Sequence, residues 1–126
     1  MKKVPQISQA EWQVMRVIWR QPGQSAQDII KELVPLESWS GATIKTLLNR
    51  LIKKKALIFK KVGKAYFYWP AVAEDACTEK ETESFLARYF GGSLTPMLAH
   101  FVKTKKLTKA EVEELERLLQ KGTSHD

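Results

Sequence analysis

Apolar residues recur at three- and four-residue steps along the first 55 positions, in three blocks separated by breakers. Ser8 and Glu11 have the spacing of a capping box, and Trp12, Val14, Met15, Ile18 and Trp19 follow at helical intervals, which predicts a helix over 9–20. Pro22 and Gly23 end it. Ser25 and Asp28 repeat the capping spacing ahead of Ile29, Ile30, Leu33 and Val34, predicting a short second helix that stops at Pro35. After a connection over 36–39, Ser40 is placed to cap a third helix reaching about Lys55, with Ile44, Leu47, Leu48, Leu51 and Ile52 on one face.

Beyond Ala56 the spacing changes. Residues 57–61 and 65–69 flank Val62, Gly63 and Lys64, which predicts two strands joined by a glycine-containing loop and closed by Pro70. Tyr66 and Tyr68 then share one face, with Ala65, Phe67 and Trp69 on the other, and one aromatic face must pack on the helices. From Glu74 an acidic helix follows, with Phe85, Leu86, Tyr89 and Phe90 on its apolar side and Gly91 and Gly92 at its end. A short helix carries Leu94, Met97, Leu98, Phe101 and Val102. Thr108 and Glu111 then open a last helix with Val112, Leu115, Leu118 and Leu119 on one side. So short a segment has more apolar face than it can bury within itself, and a symmetric partner chain would cover it. The expected fold class is mainly α with a small β-hairpin: a winged helix-turn-helix domain over 1–73 and a helical dimerisation domain over 74–126.

Charge divides the chain at the same place. Residues 1–73 carry 13 basic and 4 acidic side chains, net +9, whereas residues 74–126 carry 8 and 10, net −2. Between Lys45 and Lys64 there are eight Lys or Arg and no Asp or Glu. A cationic third helix running into a cationic hairpin suits a polyanion, with the helix in a DNA groove and the hairpin as a wing on the backbone. Ser40, Thr43, Lys45, Thr46, Asn49, Arg50, Lys53 and Lys54 on the helix and Lys60, Lys61 and Lys64 on the hairpin are the expected DNA contacts. Arg can fork onto guanine and Asn onto adenine, while Thr and Lys can bond phosphate oxygens. The plainer accounts are a solvated helix face and lysine protection of an edge strand. A second reading makes the same surface a winged-helix protein-interaction module that docks an acidic partner.

Other chemistry is sparse. Cys77 is the one cysteine, so no intramolecular disulfide forms, and no Cys/His spacing suggests a metal site. His100 lies between Ala99 and Phe101, and His125 in a terminal tail. Glu111, Glu113, Glu114 and Glu116 read as the solvated side of an amphipathic helix. No phosphate loop or nucleophile elbow is present, so neither an enzyme nor a cofactor is expected. No run of about 18 apolar residues occurs, and the expectation is a cytoplasmic protein without a membrane span.

Several stretches resemble the BlaI/MecI/CopY repressors: residues 7–15 (ISQAEWQVM), 17–19 (VIW), 38–40 (SWS), 42–51 (ATIKTLLNRL), 53–58 (KKKALI), 62–64 (VGK) and 66–68 (YFY). The resemblance covers nearly the whole chain. It implies a winged-helix N-terminal domain, a C-terminal dimerisation segment and a dyad operator with TACA/TGTA-like half-sites, read by the helix at 40–54. Branches of that family differ in how repression is relieved. The copper-responsive branch ends in paired Cys-x-Cys motifs, whereas this chain ends Gly122-Thr123-Ser124-His125-Asp126, without the thiolates that Cu(I) needs. The β-lactam branch is cut by a sensor protease between Asn and Phe, a position that falls here between His100 and Phe101.

Overall fold

The computed structural model describes residues 3–122, so His125 lies outside the described residues. The elements run α1 (Gln9–Arg20), β1 (Gln24–Ser25), α2 (Ala26–Glu37), α3 (Gly41–Lys53), β2 (Leu57–Val62), β3 (Ala65–Pro70), α4 (Glu74–Phe90), α5 (Leu94–Lys103) and α6 (Lys109–Gly122). Two compact units result, one up to Thr82 and one from Glu83 onward.

In the first unit, each of the three opening helices starts at a serine whose hydroxyl accepts a backbone N–H two or three residues into the helix: Ser8 from Glu11, Ser25 from Asp28 and Ser40 from Thr43. At α1 the box is reciprocal, since Glu11 Oε1 accepts the Ser8 N–H at 2.8 Å. The apolar stripes of α1 (Val14, Met15, Ile18), α2 (Ile29, Leu33) and α3 (Ile44, Leu48, Leu51) meet in one core, closed by Leu57 and Tyr68 of the sheet. Each such side chain contributes about 1.5–3 kcal/mol relative to an exposed position. Ile52, expected on the buried face of α3, is only half-buried at its edge.

Three features differ from the sequence reading. Helix α2 continues past Pro35 to Glu37. A proline removes one N–H and crowds the carbonyl four residues back, but in a last turn this costs a single hydrogen bond. Ser38, left-handed at φ 59, then ends the helix by donating its N–H to the Val34 carbonyl. The second difference is β1, which makes a three-stranded antiparallel sheet of order β1-β3-β2, with Gln24 opposite Tyr68 and Ser25 opposite Phe67. Gly23, at φ 87, donates its N–H to the Tyr68 carbonyl, and the Trp69 indole lies so close that a Cβ there would meet it at 3.3 Å. Third, strand β2 includes Val62, so the hairpin turn is Gly63-Lys64 alone, with glycine supplying the positive φ of 62.

The first unit also runs past residue 73, because the first turns of α4 pack into it. Cys77 is buried in the core, where burial raises its thiol pKa against a smaller opposing effect of Lys80. In the second unit, no residue from 83 to 122 is buried. Phe85 touches Phe90 along α4 and Phe90 meets His100 of α5, with centroids 5.9 and 6.0 Å apart. At α6 the predicted box is formed, Thr108 and Glu111 exchanging bonds of 3.0 and 3.1 Å. Those bonds from the Thr108 backbone and hydroxyl hold the Glu111 carboxyl below its ordinary pKa.

Candidate nucleic-acid interface

Burying Ile44, Leu47, Leu48 and Leu51 forces the opposite side of α3 outward, so Thr43, Lys45, Thr46, Asn49, Arg50 and Lys53 are all exposed. Among the described residues no carboxylate pairs with Lys45, Arg50, Lys53, Lys60 or Lys64. The amino end of α3 has no acidic residue in its first turn, and the helix dipole there adds to the positive potential. Ser40 Oγ accepts the Thr43 N–H and lies 3.1 Å from Thr43 Oγ1, so this pair is first a cap. Thr46 donates its hydroxyl to the Ala42 carbonyl at 3.1 Å, which leaves its lone pairs and methyl facing outward.

A groove of about 1480 Å³ separates α2 and α3 from the hairpin. Lys45, Asn49 and Lys53 form its α3 side, Lys64 and Tyr66 its hairpin side, and Gln27 and Lys31 its α2 side. Lys31 and Gln27 were absent from the expected contacts. Their only signal in the sequence is a position on the side of α2 opposite its buried Ile29 and Leu33.

The hairpin distributes its lysines unequally. Register places Lys61 opposite Tyr66 and Lys60 opposite Phe67, so the two side chains leave opposite faces of the sheet. Lys61 shares its face with the Phe59–Tyr66–Tyr68 cluster and lies 5.6 Å from the Tyr66 ring centroid. Tyr68 is buried, and burial, followed by the effect of Tyr66, raises its pKa. Two of the tryptophans serve packing: Trp12 and Trp19 meet edge-on at 5.4 Å, and the Trp19 indole N–H donates to the Val72 carbonyl at 3.0 Å.

One of the expected contacts has a partner within the chain. Lys54 donates to Glu11 Oε1 at 2.5 Å and to the Gln6 carbonyl at 2.9 Å. Burial pushes the Glu11 carboxyl upward, but the Lys54 ammonium and the Ser8 backbone and hydroxyl outweigh it and hold the pKa below the ordinary carboxylate value. The Lys54 ammonium is thereby paired within the chain although its side chain stays 37% exposed, a pairing invisible to helical periodicity because its partner is 43 residues away.

Three helices, a cationic third helix and a basic wing define a winged helix-turn-helix DNA-binding protein. The profile of the penicillinase repressor family matches residues 7–121. The chain is 42% identical over 120 residues to the penicillinase repressor of Bacillus licheniformis, covering 95% of this chain and 94% of that one. It is 36% identical over 119 residues to the methicillin resistance regulatory protein MecI of Staphylococcus aureus, covering 94% and 97%. Among solved structures, the DNA-binding domain of the repressor BlaI superposes with a TM-score of 0.54 at 49% identity, over 59% of this chain and 90% of that one. The monomeric form of Bacillus licheniformis BlaI in complex with the blaP half-operator gives 0.52 at 48%, over 60% and 92%. This chain belongs to the penicillinase repressor family and is a DNA-binding transcriptional repressor of the BlaI/MecI type. That family is not an enzyme class.

Proposed function

We propose that the protein is a cytoplasmic homodimer that represses transcription from a dyad operator. The observation that carries this reading is the acid-free exposed face of α3 framed by a cationic wing. Lys45, Thr46, Asn49 and Arg50 read base edges in the major groove, while Lys53, Lys61 and Lys64 hold the phosphate backbone. The half-operator bound by the BlaI relative supports one such module per half-site. Phe85, Tyr89, Val102, Val112, Leu118 and Leu119, exposed in the single chain, together with the half-buried Leu86, Phe90, Leu98, Phe101 and Leu115, form the dimer face. Two modules joined in this way bind as one bivalent ligand, so a signal that opens the dimer relieves repression.

A sensor protease acting between His100 and Phe101 is one such signal. The bond lies inside α5, so cleavage requires local unwinding of that helix first. A copper cluster held by paired thiolates does not fit this chain, whose single cysteine, Cys77, is buried.

Fluorescence anisotropy tests the reading with a TACA/TGTA dyad duplex and a scrambled control, at low and near-physiological salt. A preference for the dyad that persists at the higher salt is expected. Equal, salt-labile binding to both duplexes would refute sequence-specific repression at such sites and favour docking of an acidic protein partner on the same face.

A further inference from the structure

Two lysines from distant parts of the chain close on one short N-terminal segment. Lys54 reaches the Gln6 carbonyl and Glu11, and Lys80 of α4 donates to the Val4 carbonyl at 2.5 Å. Glu11, 2% exposed, is the one buried charged side chain among the described residues. Its Oε1 takes both the Ser8 N–H and the Lys54 ammonium, so a single atom ties the start of α1 to the end of α3.

Lys54 stands where the reading helix becomes the wing. It is the C-cap of α3, and Lys55 after it is left-handed at φ 65. The turn is completed by Ala56 N–H to the Leu51 carbonyl, and the hairpin root by Ala71 N–H to the Ala56 carbonyl. A helix end is ordinarily where fraying and pivoting begin. Here it is fixed by a charge-assisted bond to a buried carboxylate, which is strong once both partners are in place. A cation already bonded to a buried carboxylate and a backbone carbonyl also has a role in geometry.

We propose that Glu11, Lys54 and Lys80 act through residues 4–8 as a strap that fixes the orientation of α3 and the root of the wing. Lys80, though on α4 and outside the DNA face, is then a positioning residue for sequence discrimination. Hydrogen bonds to base edges depend steeply on distance and angle, whereas long lysines follow a displaced phosphate with little loss. Loosening the strap should therefore weaken specific binding and spare non-specific binding.

The proposal rests on the operator reading above, and its test separates the two. In the full-length protein, Lys80→Met keeps the aliphatic stem and removes the donor. Dyad and scrambled affinities are measured by anisotropy, and backbone amide shifts are recorded without DNA. The dyad-to-scrambled ratio should fall roughly 3- to 10-fold, the size expected of coupling through a contact network. Scrambled-DNA affinity should stay within about twofold, amides at Ser8, Glu11, Lys54 and Lys55 should move, and Lys80→Arg should restore the ratio. Glu11→Gln, which retains an acceptor but frees Lys54, should lower the same ratio while steepening the salt dependence by about one ion. An unchanged ratio in Lys80→Met, or equal loss on both duplexes, overturns the positioning role. Unmoved amides overturn the strap itself. If the unmodified protein shows no dyad preference, the operator reading fails and the amide shifts alone decide the strap.

Discussion

Up to Thr82 the chain brings Val14, Met15, Ile18, Ile44, Leu48 and Leu51 to 0% exposure, whereas beyond it Phe85, Leu118 and Leu119 remain 44%, 56% and 53% exposed. Both regions have well-formed amphipathic helices. The first folds its stripes against one another and against a sheet, and the second, made of the end of α4 with α5 and α6, has no buried residue among those described. Helix amphipathicity therefore states that a face will be covered and is silent about what covers it. The first region has a core of its own, while the second keeps its apolar side chains at the surface.

The strongest way to break this contrast is to separate the units. A chain ending at Thr82 should melt as a folded domain and lose about 10²- to 10⁴-fold in operator affinity through loss of bivalency, as read by anisotropy. Full affinity in that truncation would sink the bivalent reading. A chain ending at Val72 should in addition be less stable, because it lacks Cys77 and Lys80. Paired alanine substitutions come next in size. Leu48→Ala should cost about 2–5 kcal/mol in chemical denaturation. Leu118→Ala should leave the melt of the dilute monomer within about 0.5 kcal/mol, yet raise the dimer dissociation constant in sedimentation.

Smaller effects sharpen the DNA side. Arg50→Ala should cost about 1–3 kcal/mol on the dyad with no change in melting. Lys61→Ala should weaken both duplexes alike and lower the salt slope by about one. The smallest effect concerns acid. Because the Glu11 carboxyl titrates lower in the fold than in the unfolded chain, the Lys54 lock contributes stability above the unfolded value, about 4.3, and loses it as pH falls through the folded value. Glu11→Gln should flatten that limb of a pH-dependent denaturation series.

Local rules accounted for much of this fold. Ser8 with Glu11, Ser40, and Thr108 with Glu111 announce helix starts through contacts three residues apart, and the 44-47-48-51 stripe marks which side of α3 faces out. Strand β1 has no signature in the sequence because two residues show no period, and only pairing with Tyr68 and Phe67 makes them a strand. Pro35 does not stop α2, because the cost of proline depends on how many turns remain after it. Lys54 read as one more cation on a basic helix, and nothing within a turn of it marks a partner at Glu11. Lys80 and Val4 lie 76 residues apart, so their bond is a product of tertiary structure alone.

The placement of the indoles has an optical consequence. All four tryptophans of the chain, Trp12, Trp19, Trp39 and Trp69, precede Thr82, and each is half-buried. Their emission is therefore a signal carried by residues of the first unit. Far-ultraviolet circular dichroism sums over every helix. Heated side by side, the two spectroscopies should trace separate transitions at concentrations where the proposed dimer opens before the indoles lose their core.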